Sequence, residues 1–106
     1  MNVLFVCSRN QWRSRTAETI FYKNQKHAIR SAGTASDARI KISLKLFEWA
    51  DIIFVMEKKH KDQLREKYGF PVETKDVFIL DIPDEYPYMD PELIEILQTS
   101  VRSYLK

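Results

Sequence analysis

Four apolar residues, Val3-Leu4-Phe5-Val6, end at the chain's only cysteine, Cys7. Arg13 and Ser14 follow shortly after, at the head of a helix-forming segment. An unbroken apolar run of this length reads as a strand covered on both faces, the kind found inside a parallel sheet. The spacing predicts a helix over 14–26, with Ala17, Ile20 and Phe21 on one side. A buried strand feeding a helix through so short a turn leaves few architectures open.

The rest of the chain repeats that alternation. A short strand is expected over 28–31, then a loop over 32–42 turning at Gly33. A short helix over 43–48 takes Ser43 as its N-cap. An apolar strand covers 51–56, and Phe47 and Trp49 are expected in the core. A charged helix over 58–68 is stopped by Gly69 and Pro71. A strand over 76–80 and a loop over 83–89 lead to a last helix over 90–105. Asp90 caps that helix, Pro91 occupies its first turn, and Leu93, Ile96, Leu97, Val101 and Leu105 line one face. Residues 1–106 are expected to form one α/β domain. It has three layers: a four-stranded parallel sheet with helices on both faces and right-handed crossovers. The loop that carries Ser8 to Trp12 lies between the first strand and the first helix.

That turn leaves N–H groups unpaired at the positive end of a helix dipole, a place that attracts phosphate. Ser8, Arg9, Asn10, Gln11, Trp12, Arg13 and Ser14 span it and are the candidate phosphate-binding residues. The same field favours Cys7 as the thiolate, the nucleophilic form. Arg13 offers a planar fork for two phosphate oxygens, and Ser14 can donate to the sulfur. A lone cysteine ending a strand is by default a small core residue. The strand before it, the helix after it and the Arg-Ser pair turn the reading toward attack on phosphorus. In parallel sheets ligands bind beyond the carboxyl ends of the strands. Asp84 and Asp81 both follow a strand and can reach that edge.

These residues resemble a known family. Val-Leu-Phe-Val-Cys-x-x-Asn-x-x-Arg-Ser, followed by Ala17-Glu18, is similar to the signature of the low-molecular-weight protein tyrosine phosphatases. Arg30-Ser31-Ala32-Gly33-Thr34 resembles the family's second strand and the loop after it, and Ala50 to Met56 its third strand. Ile82-Pro83-Asp84-Glu85-Tyr86 resembles the loop that carries the catalytic acid, which favours Asp84 over Asp81. The resemblance implies a phosphomonoester hydrolase that forms a cysteinyl-phosphate, needs no metal or cofactor, and acts on phosphotyrosine. Cys7 is then the nucleophile, Arg13 binds the phosphoryl oxygens, and Asp84 is acid and then base. Asn10, Ser14 and Ser31 support the loop from behind. Tyr86 and Tyr88 are candidates for a wall beside a flat substrate group.

The chain also departs from the family pattern. Arg9 stands where the family has Gly, which removes the easiest route to unusual backbone angles. Trp12 replaces a second cysteine, so no disulfide can shield Cys7 from irreversible oxidation. Gln11 occupies a position that helps choose the substrate, and Glu85 replaces a proline. Between Thr34 and Trp49 much of a helix-and-loop wall is missing.

Composition narrows the alternatives. A net charge of +2 does not by itself argue for nucleic acid. A cluster of Arg9, Arg15, Arg39 and Lys41 at the cleft mouth would make a nucleotide or nucleic-acid end a possible substrate. Lys58-Lys59-His60-Lys61 reads as a solvated helix face. His27 and His60 lack partners at metal-ligand spacing. A single cysteine and an N-terminus that runs straight into a strand suit a reducing cytoplasm. No apolar run approaches the ~20 residues needed to span a bilayer. The oligomeric state is not legible. The remaining readings are a phosphatase for phosphoarginine or another phosphomonoester, a phosphocarrier like the IIB components of sugar phosphotransferase systems, and a non-catalytic phosphate-binding module. Arsenate reductases share such a loop but use further cysteines, which this chain lacks.

Overall fold

The computed structural model describes residues 1–23, 26–69 and 71–105. Strands β1 (Asn2–Cys7), β2 (Ala28–Gly33), β3 (Ile52–Val55) and β4 (Asp76–Ile79) form one parallel sheet in the order β2-β1-β3-β4. β1 takes an inner place because Val3 to Val6 are wholly buried and can pack on both faces. Val3, Phe5 and Cys7 face the layer of α1 (Arg13–Phe21) and α5 (Pro91–Val101). Leu4 and Val6 face the opposite layer, with α2 (Leu44–Trp49), α3 (Lys58–Tyr68) and α4 (Pro71–Thr74). This is the expected three-layer α/β arrangement.

The caps act as the sequence suggests. Ser43 accepts from the Leu46 amide at 3.1 Å, and Asp90 accepts from the amides of Glu92 and Leu93. Phe47 is buried, and Trp49 packs against the same core from its edge. Two helices are shorter than their periodicity predicts. α1 stops at Phe21 rather than Lys26, because Tyr22 and Lys23 are exposed and no longer hold the helix to the sheet. Residues 24 and 25 of that expected helix lie outside the described residues. α5 stops at Val101, its last fully buried side chain, although Leu105 still packs on the core after a turn. α3 ends at Gly69, whose φ of 72° suits a residue without a side chain. Position 71, expected only as a stop, instead opens the short α4, because proline is favoured at a first helical position. Among the described residues, no helix is long and apolar enough to cross a membrane.

Register carries the strand ends to one edge. Cys7 pairs with Gly33, Val6 with Val55, and Val55 with Ile79. The segments after all four strands therefore leave the sheet side by side. Phe54 anchors the centre, with ring centroids 5.3 Å from both Phe5 and Tyr104 and 6.0 Å from Phe78. Phe54→Ala should lower unfolding free energy by about 3–5 kcal/mol, read as an earlier urea midpoint. A loss below about 1 kcal/mol would show that this aromatic cluster does not hold the sheet.

Candidate active site

The loop after β1 is shaped from behind. Thr34 donates its amide to Cys7 O at 2.9 Å, Ala35 to Ser8 O at 2.9 Å, and Arg39 to Arg9 O at 2.9 Å. The Arg39 side chain donates Nε–H to Asn10 O at 3.0 Å. Four consecutive carbonyls are thus turned toward residues 34–39. In a trans peptide the C=O and the next N–H point in opposite directions. The amides of Ser8, Arg9, Asn10 and Gln11 are consequently turned to the concave side, which makes a nest for an anion. Asn10 N–H points at Cys7 Sγ at 3.2 Å.

Two expectations change here. The positive backbone angle falls on Asn10, at φ 58°, and not on Arg9, so the lost glycine is not missed. Asparagine tolerates that region well. Gly33 does not turn the loop; it ends β2, with no positive φ. Its value is closeness: a Cβ there would stand 2.5 Å from Ser8 O, 2.7 Å from Ala38 Cβ and 3.0 Å from Arg9 C.

A hydrogen-bonded chain runs to the sulfur. Ser14 Oγ lies 3.0 Å from Cys7 Sγ. Asn10 Nδ2 donates to Ser14 Oγ at 2.7 Å and to Ser31 Oγ at 2.8 Å. Ser14 Oγ already accepts, so its own hydrogen goes to the sulfur at 3.0 Å or to the Ala32 carbonyl at 3.4 Å, and the sulfur is the nearer acceptor. Ser31 donates to Glu18 Oε1, which is ion-paired with Arg39 Nη2 at 3.6 Å. Glu18 and Arg39 thus join the supporting set that sequence reasoning limited to Asn10, Ser14 and Ser31.

Arg13 is only 1% exposed. Its Nη1 donates to Glu57 Oε1 and to Ile82 O, the latter at 2.9 Å. Burial alone would raise Glu57, but the hydrogen bond and charge of Arg13 outweigh it and hold the carboxyl below its ordinary value. A buried guanidinium requires such a counterion. The Arg13 Nε–H is buried without a hydrogen-bond partner, 3.7 Å from Asp84 Oδ1. Trp12, at the start of α1, offers no side-chain cap, so the helix's first amides are left for a ligand.

Cys7, Ser8, Arg9, Gln11, Trp12, Arg13 and Asp84 line one cavity of about 340 Å³. Asp81 is exposed at φ 60° and does not line it. Ile82 ties the loop that carries Asp84 to Arg13, and Met89 N–H donates to Thr16 Oγ1 at 2.9 Å. The two tyrosines lie elsewhere. Tyr86 packs against the core, and Tyr88 is engaged by Thr19 Oγ1 at 2.8 Å and by the Arg15 guanidinium 4.5 Å above its ring. The exposed aromatic at the cavity is Trp12, 44% accessible. Of the four cations expected at the mouth, Arg9 lines the cavity; Arg15 stacks on Tyr88, Arg39 braces the loop, and Lys41 is exposed beside the end of β2, bridged to Gly33.

His60 departs most from expectation. It is fully buried, not part of a solvated face, and its Nε2 lies 2.9 Å from Ser8 Oγ. Glu57 and His60 escaped sequence reading, although Glu57 follows β3 at the same edge that singled out Cys7 and Asp84.

No protein-family model matches the chain, and no curated protein matches its sequence. Solved structures do match its shape. The YwlE arginine phosphatase from Geobacillus stearothermophilus is 21% identical over 98% of this chain and 90% of its own, with a TM-score of 0.78. SP-PTP, a low molecular weight protein tyrosine phosphatase from Streptococcus pyogenes, is 18% identical over 98% and 90%, with a TM-score of 0.82. The tyrosine phosphatase Wzb from Escherichia coli K30, in complex with phosphate, is 20% identical over 98% and 95%, with a TM-score of 0.75. The chain has the fold of the low-molecular-weight protein tyrosine phosphatases.

Burial, then the Arg13 charge, push His60 from 6.5 down to about 4. Between those values the unfolded chain binds the extra proton, so stability falls as pH drops through that window. The full effect is on the order of 3 kcal/mol. Glu57 acts in the same direction but below its ordinary value of 4.5. Urea unfolding at pH 7 and pH 4.5 should show the loss, and His60→Gln should flatten it. An unchanged slope in His60→Gln would assign the pH dependence to other groups.

Proposed function

We propose that this chain is a cysteine-dependent phosphomonoesterase that acts on phosphotyrosine in proteins. The observation that carries the reading is a buried Arg13 Nε–H with no hydrogen-bond partner, beside the cavity that Cys7 also lines. A buried unpaired donor is costly, and a phosphoryl oxygen would satisfy it. The amides of residues 8–11 add further donors, so the electrophilic side is supplied by the protein and the reaction calls for no metal.

The chemistry has two steps. Cys7 Sγ attacks phosphorus, the bond to the leaving oxygen breaks, and Asp84 gives that oxygen its proton. Water then attacks the cysteinyl-phosphate, passes its proton to Asp84, and the S–P bond breaks to return the thiolate and inorganic phosphate. Glu57 and Ile82 O hold one edge of Arg13, and the Nε edge, which faces Asp84 Oδ1 at 3.7 Å without a hydrogen bond, is the one that takes phosphate. Asn10 N–H and Ser14 O–H stabilise the sulfur as it leaves. The exposed Trp12 ring offers a flat face for an aryl leaving group, a part the sequence suggested for Tyr86 and Tyr88.

Tyrosine and arginine phosphatases share this fold, and the exposed Trp12 ring at the cavity is what favours an aryl ester here. An acid beside the cavity weighs against a phosphocarrier, which needs no proton for an alcohol. A lone cysteine nucleophile suits a reducing compartment such as the cytoplasm.

The protein should hydrolyse para-nitrophenyl phosphate in the presence of a chelator and be inhibited by vanadate. Cys7→Ser should abolish turnover. Asp84→Asn should slow phenyl phosphate by about a hundredfold or more, and para-nitrophenyl phosphate far less, because a good leaving group needs little proton donation. Equal slowing of both substrates would remove Asp84 from its role. Full activity in Cys7→Ser would remove the mechanism.

A further inference from the structure

The N-cap and first turn of α3 touch the phosphate loop twice. Glu57 holds Arg13, and His60 reaches Ser8, a contact that the reaction above does not use. The donor and acceptor roles in that second contact can be assigned. His60 Nδ1 accepts the Glu57 amide hydrogen at 3.0 Å, as half of a capping box. A ring nitrogen that accepts carries no hydrogen, so the single hydrogen of the neutral ring sits on Nε2. Nε2 therefore donates and Ser8 Oγ accepts, at 2.9 Å. Burial and the Arg13 charge keep the ring neutral at physiological pH, which preserves this one tautomer.

A hydroxyl that accepts from His60 still has its own hydrogen to give. Among the described residues His60 is the one hydrogen-bond partner of Ser8 Oγ. Ser8 is half-buried and lines the same cavity as Cys7, Arg13 and Asp84. We propose that the Ser8 hydroxyl is a further donor to the bound phosphoryl group, aimed by the Nε2–H of His60. This rests on the reading that the cavity takes a phosphoryl group. The backbone amides are fixed by the carbonyls behind them, whereas a serine hydroxyl rotates freely unless something orients it. His60 supplies that orientation from α3. Ser8 then touches substrate, and His60 is a positioning residue. An oriented donor costs no reorganisation as charge grows on the phosphoryl oxygens.

The test uses the full chain and five variants: Ser8→Ala, Ser8→Thr, His60→Phe, His60→Gln and the double variant Ser8→Ala with His60→Phe. The probes are orthovanadate inhibition, inorganic phosphate binding by calorimetry, and para-nitrophenyl phosphate turnover. Ser8→Ala should weaken vanadate and inorganic phosphate more than twofold and lower kcat by roughly tenfold or more. Ser8→Thr, which keeps the hydroxyl, should recover most of that loss. His60→Phe should match Ser8→Ala in the wild-type background and add nothing in the double variant. His60→Gln, which can still accept from Glu57 and donate to Ser8, should recover most of what His60→Phe loses. Vanadate and phosphate binding by Ser8→Ala within twofold of wild type would overturn the proposal. So would an equal His60→Phe loss in the Ser8→Ala background. If His60→Phe fails to fold, the Ser8→Ala and Ser8→Thr comparison decides alone. Wild-type protein that binds phosphate more tightly than Ser8→Ala but turns nothing over would remove the hydrolase reading and keep the Ser8 donor. Wild-type protein that binds no phosphate would remove both.

Discussion

Four carbonyls at residues 7–10 point away from the cavity because the segment after β2 donates to every one of them. Peptide planarity converts that into amides facing inward. An anion nest in this chain is therefore made by its back and not by its front. Gly33 is the condition for it, since a side chain there would collide with Ser8 and Arg9 and push the two segments apart. Arg39 closes the arrangement, holding Asn10 O with its side chain and Arg9 O with its backbone, while Glu18 and Ser31 carry the bracing on to Asn10. The segment that looked like a trimmed wall is the loop's support.

Charge placement follows from the sheet. β1 and β3 are neighbours, so residues that leave them meet at the carboxyl edge. Arg13, buried at the start of α1, finds its counterion in Glu57, just beyond β3, and a carbonyl in Ile82, just beyond β4. Pinning one side of the guanidinium by charge and hydrogen bond leaves the Nε–H on the other side without a hydrogen bond, 3.7 Å from Asp84 Oδ1. One helical turn further on, His60 pairs with Ser8. A single turn of α3 thereby reaches both ends of the loop between Cys7 and Arg13.

Much of the fold was legible from local patterns. The apolar run of β1, the caps at Ser43 and Asp90 and the spacing of Leu93, Leu97 and Val101 act between near neighbours in the chain, and their structural outcome matches. The Cys7–Arg13–Ser14 spacing marked the loop, and the strand-edge rule brought in Asp84. The misses share a cause. Periodicity overran α1 and α5, because it cannot tell where a helix stops touching the sheet. Tyr86 and Tyr88 looked like a wall because they follow Asp84, yet Tyr86 packs on the core, and Tyr88 has its ring under Arg15 and its hydroxyl bonded to Thr19. His60 sat within a charged run and was read with its neighbours, although the helix turns it inward while Lys58 and Lys59 face out.

The amino-acid order alone determined the alternation of strands and helices, the starts of the helices other than α4 and the turn after β1 that carries Cys7 to Arg13. Those depend on hydrophobic periodicity, capping and backbone angles, which act over a few residues. Tertiary structure alone decided which donors meet the carbonyls of residues 7–10, which carboxylate holds Arg13 and which nitrogen of His60 faces Ser8. The partners of Arg13 and Ser8 in those contacts lie 44 and 52 positions away. Crossover lengths and strand register set such distances to a few ångströms, and no pattern along the chain encodes hydrogen-bond geometry at that range.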